Sequence, residues 1–430
     1  MKYNIYMLLL TFIHIYDNIH ICFELINRRS ERVMFEKWNL PDNICSDFPI
    51  GINRLDLFVG HSKQRKFIDS LLNTKSVILL EGDIGVGKTS LGNVVRLGKN
   101  GVFTPISEIG VKPHWNNDDF LAVIIATIAK DICNPNSRLH SLKSLAAVKN
   151  ALGLFDNIKT QVGGVSLMGS GVTMGASLSR PLQLNQAVLI DAVEKLGAAL
   201  SKKLDVTSPI IIQINNLDLG NSFSEERMIT FFNEIRDTLQ LPYINWVICG
   251  STGIGSFITR NIARVSQIIT HHEIVEPLSI DDIKRALLAR ANFKNSERFP
   301  ITDDLIELLY SYSSGSFREI LRLLNGLLIY YHDNPLVDTI GVNESKYFFA
   351  EKVETRVVEL QRSRVAYRCF EMICEFPGIN QKDLAKKTGK SQSNISKIAK
   401  DMESAGYIRI VRKQKSVAYN PTAMFRLAEV

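Results

Sequence analysis

Short apolar runs alternate with stretches whose apolar residues recur every three or four positions from Leu57 to Gly250. That alternation is the signature of strands and helices taking turns in a parallel sheet. The continuous runs predict buried strands over residues 77–81 (VILLE), 102–106, 209–214 (PIIIQI) and 244–249 (INWVIC). The helical periodicity predicts helices over 63–72, 88–97, 118–132, 185–203 and 223–238. From Ser279 onward the pattern is helical throughout: 280–291, 303–314, 317–331 and a charged stretch over 345–361. The end of the chain reads differently. Helices over 363–376, 381–388 and 391–405, the last two stopped by Gly389 and Gly406, precede strands at 407–411 and 416–419 around a basic turn.

Two segments break this order. Residues 159–180 alternate apolar and small residues with five glycines, which predicts a flexible β-hairpin serving either as a binding loop or as a plain surface hairpin. Residues 5–16 form a 12-residue apolar run, shorter than the roughly 20 residues a membrane span needs. No small-residue cleavage site follows it. Residues 1–33 are therefore expected to be a dispensable extension, with Met34 a candidate start; a membrane anchor is the minor alternative.

Composition adds three points. With 430 residues, 45% of them hydrophobic, the chain has room for two to four domains. Six cysteines with no CxxC pair argue against a disulfide framework and place the chain in a reducing, cytoplasmic compartment. The net charge of +7 is localised: residues 361–430 hold fourteen Lys and Arg against six acids, which is +8 and leaves −1 for the rest. Such an excess is either a solvated face or a footprint for a polyanion.

The strongest motif is Gly82-Asp83-Ile84-Gly85-Val86-Gly87-Lys88-Thr89, followed by Ser90. It fits GxxxxGK[ST] between a buried strand and a helix. Glycines let backbone N–H groups converge on the α- and β-phosphates, helped by the positive end of the helix. Lys88 neutralises the outer phosphates and the Thr89 hydroxyl ligates Mg²⁺. ATP or GTP is the expected ligand.

Phe58-Val59-Gly60-His61 ahead of this loop resembles the nucleotide-proximal box of AAA+ ATPases of the origin-recognition initiator kind and of the related STAND regulators, where the last position is usually Arg. Further matches follow in family order. Residues 265–277 and then Leu278-Ser279-Ile280-Asp281-Asp282-Ile283 resemble the last core strand entering a helical lid. Gly315-Ser316-Phe317-Arg318-Glu319 resembles the sensor-2 box. Thr252 stands near the sensor-1 position and Arg264 near the arginine finger. The resemblance implies an α/β fold: a P-loop NTPase (AAA+) parallel-sheet core over 34–277, a lid over 278–345 and a linker helix over 346–362. It also implies ATP and Mg²⁺ as cofactors, with homo-oligomers or AAA+ partner subunits.

One element departs from the family. The strand after PIIIQI continues Asn215-Asn216-Leu217-Asp218, so Asn215 stands at the Mg²⁺-organising acid and Asn216 at the acid that activates water. An amide oxygen can ligate but takes no proton at neutral pH. Slow hydrolysis is expected unless Asp218 substitutes.

Residues 363–430 resemble a winged helix-turn-helix of the MarR type. Leu384, Ile395, Ile398 and Met402 form its core seam. Ser391, Gln392, Ser393, Asn394 and Lys397 open the third helix toward a major groove, and Arg412, Lys413 and Lys415 mark a wing facing phosphate. Double-stranded DNA is the expected partner. The alternative is a STAND-type nucleotide switch whose winged helix binds protein.

Overall fold

A computed structural model of the chain describes residues 37–38, 40, 44–134, 140, 147, 153, 186–219, 222–291, 299–413 and 416–428. The N-terminal apolar run and the glycine-rich segment 159–180 lie outside the described residues. The chain divides into two compact units, Phe48–Leu278 and Ser279–Val430 with the segment up to Asp47.

The first unit is built on five parallel strands: β1 (Val77–Gly82), β2 (Ile109–Gly110), β3 (Ile210–Leu217), β4 (Ile244–Ser251) and β5 (His271–Ile274), in the order β2-β3-β4-β1-β5. Alternate side chains feed two apolar layers. Val77, Leu79, Ile212, Ile214, Trp246 and Ile248 enter the larger core with α3 (Asn117–Cys133), α4 (Gln186–Leu204) and α5 (Glu225–Leu239). Ile78, Leu80, Ile211, Val247 and Cys249 face α1 (Ser62–Leu71) and α2 (Lys88–Gly98). A sheet apolar on both faces needs helices on both, which is why its strands read as unbroken hydrophobic runs. After β4 come α6 (Ile254–Asn261) and the single turn α7 (Ala263–Ser266).

One predicted strand is misplaced. Residues 102–106 make a single bridge, Phe103 to Ile210, and the edge strand lies at Ile109–Gly110 instead. Pro105 has no N–H to give a ladder, and the Pro105 and Ile106 carbonyls accept from the guanidinium of Arg96.

The second unit begins with α8 (Ile280–Ala291), α9 (Asp303–Ser313), α10 (Phe317–Tyr330) and α11 (Val342–Gln361). Two described residues from before position 48 reach these helices: Trp38 Nε1 donates to the Leu328 carbonyl at 3.2 Å, and Arg322 pairs with Asp47 at 2.8 Å. Then follow α12 (Arg364–Glu375), β6 (Ile379–Asn380), α13 (Gln381–Thr388), α14 (Gln392–Ser404), β7 (Ile408–Lys413), β8 (Ser416–Pro421) and α15 (Ala423–Ala428). Three helices and a three-stranded antiparallel sheet in the order β6-β8-β7 make a winged helix. Asn380 and Ser391 cap α13 and α14, and Gly389 ends α13 in the left-handed region that its missing Cβ permits. Among the described residues no helix is long and apolar enough to cross a membrane.

Candidate functional site

The turn between β1 and α2 has the backbone of a phosphate loop. Gly85 (φ 88°) and Gly87 (φ 104°) occupy the left-handed region, so the loop can fold its N–H groups inward. Gly82 is fixed by space: a Cβ there would lie 2.5 Å from the Val275 carbonyl oxygen. Val86 is buried and anchors the loop, while Ile84 is exposed. Lys88 Nζ donates to the carbonyls of Gly82 (2.8 Å) and Asp83 (2.7 Å), closing the loop on itself. The Ser90 hydroxyl accepts from the Ile50 N–H at 3.1 Å, which holds the preceding segment against α2. Gly60 (φ 87°) and His61 (φ 51°) turn the chain into α1, with the His61 ring 6.3 Å from that of Phe58.

Beside the loop, the end of β3 is a bulge. Gly110 pairs with Asn215, and the register with β4 shifts between Ile214 and Leu217. Asn215 points inward and is buried; Asn216 is exposed with φ 68°, a left-handed value that Asn tolerates better than most residues. The two amides therefore do not share an orientation. Asp218 is half-buried, and its carbonyl accepts from Ser222 and Phe223 at 3.1 Å each.

A polar network that the sequence reading passed over ties this strand to the loop. Gln213 Nε2 donates to the Thr89 carbonyl (3.2 Å), to Asn215 Oδ1 (3.1 Å) and toward the Cys249 sulfur (3.7 Å). Gln213 Oε1 in turn accepts from Arg96 Nε at 3.0 Å. Arg96 is wholly buried and also holds Asn93 Oδ1, Thr104 Oγ1 and two carbonyls, with Glu108 at 3.6 Å. Burial pulls its pKa down to about 10, against the pull of Glu108 and Asp131. Burial likewise pushes the Cys249 thiol up to about 12. Gln213 thus ties the Thr89 backbone to the Asn215 amide, which makes neighbours of two residues whose neutral side-chain oxygens are of the type a hard cation takes. Among the described residues no cluster of three His, Cys, Asp or Glu is poised to hold a metal.

At the end of β4 the Thr252 hydroxyl donates to Asp83 Oδ1 at 2.6 Å, which joins this residue to the loop. Arg264 is exposed on α7. Arg318 is half-buried in the first turn of α10, in the second unit. Its neighbour Glu319 accepts from the Ala423 N–H of α15 at 3.4 Å, and burial raises its pKa.

In the winged helix Leu384, Ile395 and Met402 are buried and Ile398 half-buried in one apolar cluster. Ser391, Gln392, Ser393, Asn394 and Lys397 are exposed at the start of α14. Arg412 and Lys413 lie in β7, paired with Val417 and Ser416; Lys415 lies outside the described residues. Two of the basic residues face α9: Arg409 donates to the Ser313 carbonyl (3.5 Å), and Arg426 sits 4.6 Å over the Tyr312 ring.

The MarR family model matches residues 360–415. Similar solved structures include the Aeropyrum pernix ORC1 protein in complex with DNA, 14% identical over 91% of this chain and 96% of that chain at a TM-score of 0.43. The Aeropyrum pernix ORC2 protein in ADPNP–ADP complexes is 13% identical over 90% and 96% at 0.46. The Cdc6p protein from Pyrobaculum aerophilum is 15% identical over 86% and 95% at 0.40. No curated protein matches the chain. Its architecture is a five-stranded parallel α/β core with a GxxxxGK[ST] loop after β1, a run of four helices, and a winged helix that the MarR family model matches.

Proposed function

We propose that the chain binds ATP in the loop Gly82–Thr89, binds duplex DNA through α14 and the wing, and lets nucleotide state govern the second event. The observation that carries this reading is the coexistence of two features in one chain. A phosphate loop has glycines at the positive-φ positions it needs, and a winged helix leaves the polar start of its third helix exposed.

The chemistry follows from the residues. Loop N–H groups and the α2 N-terminus take the α- and β-phosphates. Lys88 exchanges the carbonyls of Gly82 and Asp83 for phosphate oxygens, a stronger charge-assisted contact. Mg²⁺, when bound, would offset phosphate charge, and the Thr89 hydroxyl and Asn215 amide oxygen would be the donors to hold it. Neither Asn215 nor Asn216 takes a proton from water, which forgoes about 10²–10⁴ in rate. Turnover is therefore slow, and ATP acts chiefly as a ligand. Exposed Arg264 is free to face the nucleotide of a neighbouring subunit. The Glu319 contact to α15 offers a route from the Arg318 helix to the winged helix within the second unit.

DNA binding is tested by fluorescence anisotropy on duplex DNA across a salt series. Replacing Lys413 and Lys415 by Ala should weaken all sequences and lower the log–log salt slope by about one per lost phosphate contact. Asn394→Ala or Gln392→Ala should instead change sequence preference. If neither set alters binding, the STAND-type reading takes its place: a nucleotide switch with a protein-binding winged helix. Arg409 and Arg426, already engaged with the lid, are the observation on its side.

A further inference from the structure

Glu81 is the one acid inside β1, immediately before the phosphate loop, in an otherwise apolar strand. A carboxylate buried to 7% exposure must be satisfied to be tolerated. Its partners all lie across the sheet, on the turn that follows β4 and on β5. Oε1 accepts from the Gly253 N–H at 2.6 Å; Oε2 accepts from the Gly255 N–H at 2.8 Å and from His272 Nε2 at 2.9 Å. Gly253 is in the left-handed region (φ 93°) and Gly255 has no room for a side chain, since a Cβ there would lie 2.8 Å from Glu81 Oε2 and overlap the His272 ring. The turn is thus shaped around the carboxylate. The residue that this clamp places is Thr252, whose hydroxyl reaches Asp83 on the loop at 2.6 Å.

We propose that Glu81 is a positioning residue: by fixing the Gly253–Gly255 turn it holds the Thr252 hydroxyl at the phosphate loop, and so makes the site distinguish ATP from ADP. The inference rests on the phosphate-loop reading above. Loop N–H groups serve the α- and β-phosphates and Lys88 reaches toward the third, whose remaining oxygens are left to groups outside the loop. Thr252 is such a group, beside the loop's first residues. With the carboxylate in place the hydroxyl is prepaid in orientation; without it the turn is free to carry Thr252 away.

The test measures ATP and ADP affinity separately by titration calorimetry, in wild type, Glu81→Gln, Thr252→Val and the double variant. Gln offers one acceptor where two N–H groups and the imidazole need two, and sets an NH₂ against one of those donors. Glu81→Gln should lower ATP affinity about tenfold, the order expected for one charge-assisted contact, and leave ADP within about twofold. In the Thr252→Val background the same change should cost no further selectivity, because the two act in series. Gly255→Ala, which displaces the carboxylate without removing it, should reproduce the selective loss if Glu81→Gln fails to fold. Equal losses for ATP and ADP would mean that Glu81 only supports the fold and would overturn the proposal. So would a full additional loss in the double variant. A wild type that binds neither nucleotide would overturn the phosphate-loop reading itself, and this inference with it.

Discussion

Arg96→Met tests whether the network beneath the phosphate loop holds the core together. The guanidinium is wholly buried and donates to Asn93 Oδ1, Gln213 Oε1, Thr104 Oγ1 and the carbonyls of Pro105 and Ile106, with Glu108 3.6 Å away. Met fills much of the volume but strands these acceptors. Each orphaned buried acceptor costs about 1–3 kcal/mol, and water entering the vacated space recovers part of that sum. Removal of one member of a buried ionic group is the better guide, at about 3–5 kcal/mol. Against a typical stability of about 5–15 kcal/mol that is a large fraction. Arg96→Lys keeps the charge but replaces a planar fork by a point donor, so it should recover only part of the loss. Urea unfolding followed by tryptophan fluorescence reads this unit alone in a Trp38→Phe background, where Trp115 and Trp246, both in its larger core, are the remaining reporters. The midpoint should fall by more than about 1 M at ordinary m-values. A shift worth under about 1 kcal/mol for both variants would refute the reasoning, because the network would then be dispensable.

Two further predictions follow from the same region. Asn215→Asp with Asn216→Glu should raise ATP turnover by up to about 10²-fold in a phosphate-release assay, since it supplies a charged metal partner and a base; Glu at the left-handed position 216 should cost about 1 kcal/mol of stability. A wild type that already turns over briskly, and slows on Asp218→Asn, would place the base at Asp218 instead. Cys249, its thiol raised to about 12 by burial, should resist iodoacetamide at pH 8 while half-buried Cys374 reacts. The sign is that of an acid weakened by folding: Cys249 favours the folded state fully below its ordinary pKa of 9.0, and that contribution fades as pH climbs from there toward 12. Equal labelling rates for the two thiols would contradict it.

Much of the fold is legible in the sequence because unbroken apolar strands and amphipathic helices carry different periods. Helix ends in particular match where a cap is written in the chain, as Ser391 and Gly389 show. The failures have local causes. The apolar run at 102–106 contains Pro105 and makes no strand, whereas the two residues of the true edge strand are too few to make a pattern. The networks around Gln213 and Glu81 join residues more than a hundred positions apart, which no window of sequence can see. Their signal is present nonetheless: Glu81 is the lone polar side chain of an apolar strand and Gln213 sits between Ile212 and Ile214, and buried residues of that kind must find partners. The left-handed backbone of Asn216 falls at a register shift that neither Asn215 nor Asn216 announces.

The most direct test of the account measures the affinity of the purified chain for duplex DNA with and without ATP, at fixed salt, beside Lys88→Ala. Loss of the loop's cation should abolish ATP binding and leave the winged helix intact. ATP should tighten DNA binding of the wild type about tenfold or more, within the ordinary range of allosteric coupling, and leave the Lys88→Ala affinity unmoved. A wild type whose DNA affinity ignores ATP, or a Lys88→Ala variant that still responds to it, would contradict the coupling between the two sites.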